Sequence, residues 1–128
     1  IEFHDVWFEY EPDRPVLRGI DLRIPAGKIV ALVGMSGGGK STVADLIPRL
    51  YDVTGGRITI DGIDVRDVTL HSLRSQIAVV AQFTFLFNDT VRANIAYGVA
   101  DADLGAVMAA ARAANAPSKR SGSPTLRP

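Results

Sequence analysis

The chain contains no cysteine. Disulfides, thiolate metal sites and cysteine nucleophiles are therefore excluded, a composition that fits a reducing compartment. No apolar run approaches the ~18–20 residues that a membrane-spanning helix requires. Charge of one sign is also missing: 14 Lys and Arg balance 14 Asp and Glu, which leaves no net field to draw nucleic acid or anionic lipid. The only histidines, His4 and His71, are far apart and carry no accompanying carboxylate pattern, so both are expected to be surface or satisfied residues. Asp61 and Asp64 flank a turn, where aspartate serves the backbone. No internal repeat occurs. What is present is 128 residues, 47% hydrophobic and 22% charged, enough for one modest globular domain with a core but not for two.

Along the chain, Val6, Phe8 and Tyr10 alternate, which predicts one face of a strand. Glu11 to Pro15 is a turn signal. Ile20, Leu22 and Ile24 alternate again, and Pro25-Ala26-Gly27 closes that segment. Lys28 then leads into five consecutive apolar residues, Ile29 to Val33, the pattern of a strand buried on both faces. After a glycine-rich stretch, Val43, Leu46, Ile47 and Leu50 mark one stripe of an amphipathic helix, with Pro48 expected to kink it or end it early. Ile58 and Ile60 predict a short strand before an Asp61-Gly62 turn, and Ile77 to Ala81 a second one, ending at Gln82. Asn88, Asp89 or Thr90 is placed to cap a helix running towards Tyr97, and Asp101 or Asp103 another, with Leu104, Val107, Met108 and Ala111 on its buried face. From Ala116 the chain holds three prolines and one large apolar residue. Such a segment buries too little surface to offset its ordering entropy, and residues 117–128 are expected to be a disordered or non-native tail.

Gly34-Met35-Ser36-Gly37-Gly38-Gly39-Lys40-Ser41 matches G-x-x-x-x-G-K-[ST], the P-loop. Glycines let the backbone curl round a phosphate with its N–H groups inward, and the following helix aims unpaired amides and its positive dipole end at the same anion. A flexible Gly-rich linker would share the composition. It would not be preceded by an apolar strand pattern and followed by an amphipathic helix pattern, as this loop is. In this motif Lys40 reaches the β- and γ-phosphates, Ser41 offers its hydroxyl to Mg²⁺, and Thr42 is placed to hydrogen-bond the α-phosphate.

The flanks narrow the class. Val6-Trp7-Phe8-Glu9-Tyr10, then Val16 to Leu22, then Gly27-Lys28 before the P-loop resemble the start of an ABC-transporter nucleotide-binding domain. Tyr51-Asp52 with Gly55-Gly56, Ile60-Asp61-Gly62, and Leu70 to Arg74 continue the resemblance. Leu86 to Ile95 is similar to the exporter branch, especially bacterial lipid flippases and multidrug half-transporters. The resemblance covers Ile1 to about Ala116. It implies an α/β fold: a P-loop NTPase core, incomplete here, with an antiparallel β subdomain at the N-terminus and the start of a helical subdomain.

The resemblance also implies roles. Tyr10, in isolation an ordinary half-exposed strand residue, matches the aromatic that stacks on adenine. Val16 packs beside the base or serves only the core. Ser36, Gly37, Gly38, Gly39, Lys40, Ser41 and Thr42 would hold the phosphates of ATP. Gln82, 42 residues after Lys40, matches the Q-loop glutamine that touches Mg²⁺ and the attacking water. Phe83 to Asn88 would lie near a coupling surface, although their apolar side chains equally suit a core. Expected partners are a second nucleotide-binding domain, with ATP at the interface, and the transmembrane domains of a parent chain, at the cytoplasmic face of the membrane.

The family's Walker B Asp-Glu, its Leu-Ser-Gly-Gly-Gln signature and its switch histidine do not occur in this sequence. The chain, which begins without Met, is accordingly expected to be a piece of a longer ATPase, ended by a frameshift or assembly error near Ala116. It would bind ATP and Mg²⁺ without completing hydrolysis, and would expose apolar surface meant for missing core strands. Two other readings remain. A small kinase or GTPase would share the P-loop, but the guanine-reading Asn-Lys-x-Asp is absent and an aromatic strand before the loop is not a kinase feature. A non-catalytic module pairing with a full-length relative is the other.

Overall fold

The alternation in the first ten residues produces the central strand of a sheet. A computed structural model describes residues 1–83, 85–99 and 101–115, and its contacts divide the chain into two units, Ile1–Val79 and Val80–Pro128. In the first unit, β1 (Glu2–Glu9) pairs antiparallel with β2 (Pro15–Arg23) on one side and β3 (Gly55–Ile60) on the other. The short β4 (Ile63–Asp64) closes the order β2-β1-β3-β4. Asp61 and Gly62 join β3 to β4 with φ of 49° and 82°. Two successive positive φ values match the twist of the flanking strands, which is why Asp-Gly serves here.

Val6 and Phe8 are buried as the alternation requires, yet Phe3 is buried too, out of phase with them. The chain resolves this with a bulge. Asp5 adopts φ 46°, and the register shifts between Phe3 and Val6 against β2 and between His4 and Trp7 against β3. The Asp21 carboxylate accepts from the Asp5 amide (3.0 Å), and Asp5 Oδ1 accepts from the Trp7 indole (2.9 Å). Gly56 lies across the bulge at φ 72°, where any Cβ would run into the carbonyls of His4 and Asp5.

The core joins Phe3, Val6, Phe8, Leu17 and Ile58 of the sheet to Val43 and Leu46 of α1 (Lys40–Leu46), and to Val65 and Leu73, the latter on α2 (Leu70–Arg74). Helix α1 ends ahead of Pro48, as expected, because proline supplies no amide to continue the ladder. The predicted stripe is cut short with it: Val43 and Leu46 are buried, Ile47 is half-buried and Leu50 is exposed. Arg74 then satisfies the carbonyls left over, donating through Nε to Pro48 O (3.0 Å) and through Nη2 to Arg49 O (2.7 Å). Thr69 caps α2, its Oγ1 accepting from the Ser72 amide at 3.1 Å.

Two expected strands are not formed. Lys28–Val33 and Ile77–Ala81 have no strand pairing, with Ile29, Val33, Val79 and Val80 largely exposed. An apolar segment becomes a strand only when a neighbour takes its backbone hydrogen bonds, and among the described residues neither segment enters a strand pairing. Conversely, β2 begins at Pro15, earlier than the Ile20–Ile24 alternation indicated.

In the second unit, α3 (Val91–Ile95) is capped by Thr90 rather than Asn88 or Asp89, with Oγ1 3.1 Å from the Ala93 amide. Helix α4 (Leu104–Ala113) is capped by Asp103 rather than Asp101, at 2.7 Å from the Ala106 amide. Of its expected buried face only Val107 is buried; Leu104 and Met108 are exposed and Ala111 is intermediate. Phe83, Phe85, Leu86 and Phe87 are likewise exposed. Phe87 stacks on Tyr97 with centroids 4.4 Å apart, and Phe85 meets Phe87 at a right angle. The predicted tail, 117–128, lies outside the described residues.

Candidate nucleotide-binding site

The loop from Gly34 to Gly39 turns into α1 against the edge of the sheet. Gly39 has φ 78°, and a Cβ there would come within 2.7 Å of Leu17 Cδ2, the end of a buried core side chain. Glycine is thus required twice, for the left-handed backbone and for the close approach to β2. A turn bond from the Gly38 amide to Met35 O (3.2 Å) tightens the loop, and the Val43 amide closes the first helical turn on Gly39 O (2.9 Å). No side chain caps α1, so its first amides have no acceptor within the helix.

The Lys40 ammonium folds over this loop, donating to Gly34 O at 2.9 Å and Met35 O at 2.6 Å. Ser41 is exposed, whereas Thr42 is buried, its Oγ1 3.2 Å from the Tyr10 hydroxyl. A hollow of about 270 Å³ is lined by Val16, Ser36, Gly37, Gly39, Lys40, Ser41 and Thr42. These seven residues, predicted from the sequence, are brought together. Gly38 sits within the same loop, and Tyr10 is tied to it through Thr42. Gln82 belongs to the second unit, where it is exposed in a bend.

The hollow has one charge, the ammonium, and no carboxylate among its lining residues. Together with the three hydroxyls of Ser36, Ser41 and Thr42 and glycine backbone, that donor set suits a polyphosphate, and the volume falls below that of a pocket enclosing a whole small molecule. Among the described residues no group of three or more His, Cys, Asp or Glu is assembled to hold a metal.

The carboxylates with displaced titration lie elsewhere. Arg49, hydrogen-bonded at 2.5 Å, holds Asp52 below the usual carboxylate range. Arg66 does the same to Asp64, which accepts from its Nη2 (2.7 Å), Nε (3.1 Å) and amide (2.9 Å). One neighbour had no assigned role in the sequence: Tyr51, whose ring meets Tyr10 edge-on with centroids 5.1 Å apart. The signals available were its place in the Tyr51-Asp52 motif of the resemblance and the scarcity of aromatics, 7% of the chain.

Comparison with known proteins decides the family. The ABC transporter family matches residues 17–125. The chain belongs to the ABC transporter family. It is similar to the ATP-dependent lipid A-core flippase of Syntrophus aciditrophicus (strain SB), 60% identical over 116 residues, which are 91% of this chain and 19% of the flippase. A putative multidrug export ATP-binding/permease protein of Bacillus subtilis (strain 168), YgaD, is 55% identical over 91% of the chain and 20% of its own length. Among solved structures, a bacterial Atm1-family ABC exporter with ATP bound superposes with a TM-score of 0.83 at 49% identity, covering 90% of this chain and 20% of that one. This ABC chain therefore spans about a fifth of the length of the relatives it matches. Its antiparallel sheet, glycine loop and following helix are an incomplete P-loop NTPase in the ABC arrangement. No described helix is long and apolar enough to cross a membrane.

Proposed function

We propose that the chain is the ATP-binding portion of an ABC exporter's nucleotide-binding domain. The observation that carries this reading is the convergence of the Lys40 ammonium and the Ser41 and Thr42 hydroxyls on one hollow behind the left-handed Gly39, with Thr42 bonded to Tyr10. Lys40 binds the β- and γ-phosphates, exchanging its loop carbonyls for phosphate oxygens. Backbone amides of Ser36 to Lys40 surround the phosphate chain, Ser41 is a ligand of Mg²⁺, and Thr42 serves the α-phosphate. Tyr10 stacks on the base, with Val16 beside it. When bound, Mg²⁺ supplies charge neutralisation at the phosphates.

Residues 1–116 form the front part of the ATPase domain. In the parent protein, Gln82 reads the metal and the attacking water and connects the site to transmembrane domains. A second nucleotide-binding domain closes over ATP, and hydrolysis drives export of a lipid or amphipathic substrate from the cytoplasmic face. This sequence holds no Walker B acid or signature motif, and phosphoryl transfer depends on such positioned groups. The chain alone binds MgATP and releases phosphate at the buffer rate.

Calorimetry with the purified chain tests the pocket. Lys40→Ala is expected to weaken MgATP about a hundredfold, by loss of charge-assisted bonds, and Tyr10→Ala about tenfold, by loss of stacking. Wild-type affinity in both variants would remove the assignment.

A further inference from the structure

Tyr10 presents a half-exposed ring in a precise pose, and something must fix that pose. Three groups do. Phe8, buried in the sheet, meets it at 88° with centroids 4.8 Å apart. Thr42 Oγ1 lies 3.2 Å from its hydroxyl. Tyr51 meets it at 89° and 5.1 Å, and also touches Phe8 at 5.6 Å. Right-angle contacts at these distances set the electron-poor edge of one ring on the electron-rich face of another. The rings therefore hold one another in orientation as well as covering apolar surface.

The segment carrying Tyr51 is itself strapped down. Arg49 bonds the Asp52 carboxylate through Nε (2.5 Å) and Nη2 (3.3 Å), spanning Tyr51, and Arg74 holds the Pro48 and Arg49 carbonyls just before it. Three elements thus converge on one ring: the end of β1, the start of α1 and the turn after α1. Yet Tyr51 does not line the phosphate hollow, and nearly half its surface is exposed. Its effect on a ligand would pass through Tyr10.

We propose that Tyr51 is a positioning residue for the base of the bound nucleotide, acting by holding Tyr10 ready to stack. This rests on the nucleotide reading given above. A freely rotating aromatic loses rotameric freedom when a base settles on it, and a ring already clamped does not, so the clamp strengthens binding of the base and leaves the phosphates untouched.

The test compares MgATP with Mg-tripolyphosphate, which has the phosphates and no base, on the full chain. Tyr51→Ala is expected to weaken MgATP about threefold to tenfold while tripolyphosphate binding stays within about twofold. Tyr51→Phe, which keeps the ring, restores the MgATP affinity. In a Tyr10→Ala background, Tyr51→Ala costs nothing further, because the residue through which it acts is gone. Equal loss for both ligands would make Tyr51 merely structural and overturn the proposal. So would unchanged affinity for both, or an additive loss in the double variant. Indifference of both ligands to Lys40→Ala would instead bring down the nucleotide reading, and this inference with it.

Discussion

Glycines of the same loop answer to different constraints, and the difference is measurable. Gly39 and Gly37 both have left-handed backbones, at φ 78° and 80°. A Cβ on Gly37 meets nothing within 4 Å, while one on Gly39 strikes Leu17. Left-handed strain alone costs an L-residue about 1–2 kcal/mol, and forcing a packed leucine aside costs about 1–3 kcal/mol more. Thermal unfolding should therefore rank Gly39→Ala clearly below Gly37→Ala, and both below wild type. Equal melting points would mean that the loop does not press on β2. Asp64 makes a second residue-scale case. Its folded pKa is depressed, chiefly by the hydrogen bond from Arg66. A depressed carboxylate stabilises the fold fully above its unfolded value, near about 3.9, and that contribution drains away as pH falls through the folded value. The melting temperature should be flat from neutral pH to about 5 and fall below about 4. Asp64→Asn should lower it at neutral pH and flatten the acid limb.

At the scale of elements, what the sequence made legible was whatever a segment decides for itself. The P-loop, the Asp61-Gly62 turn, the caps of α3 and α4 and the Pro48 stop are local chemistry, and all were placed within a residue or two. The seven residues lining the hollow were legible for the same reason: they are nearly contiguous, apart from Val16. What escaped were features decided by neighbours. The bulge at Asp5 reverses the parity of β1 without any glycine or proline to announce it. Residues 28–33 read as a buried strand because their composition is that of one, but pairing is not a property of composition. The contact of Tyr51 with Tyr10 spans elements and leaves no local pattern. Asn94 is another such organiser: its Oδ1 accepts from the Phe87 amide (2.7 Å), and its Nδ2 donates to the carbonyls of Phe87 (3.1 Å), Asp89 (3.3 Å) and Thr90 (3.0 Å). One side chain thereby fixes the turn that leads into α3. In Asn94→Ala, hydrogen exchange at the Phe87 amide should accelerate on the order of tenfold, since that amide loses its acceptor and the turn its tie. Protection unchanged from wild type would show the turn to be held by its backbone alone.

At the scale of the whole molecule, two apolar segments set the solution behaviour. Ile29 and Val80 are fully exposed and Val33 and Val79 largely so, in runs with no proline and, from Ile29 to Val33, no charge. Backbone hydrogen-bonding groups in such a segment are satisfied by water or by another strand, and a second copy offers the strand. Isolated apolar surface residues are ordinary; a contiguous strand-forming run of them is an association site. The chain's formal net charge is zero near neutral pH, so no long-range repulsion opposes the encounter. Light scattering should therefore rise steeply with protein concentration at pH 7, and thioflavin fluorescence with it as strands add edge to edge. Ile29→Lys together with Val33→Lys should suppress both, by placing charge on the run and desolvating it in any paired state. The same pair leaves the Lys40 hollow intact, because neither residue lines it, so MgATP affinity in the doubly substituted chain should match wild type at low protein concentration. Scattering that persists in the double variant would locate self-association elsewhere, with the exposed Phe83, Phe85, Leu86 and Phe87 of the second unit as the next residues to replace with charge.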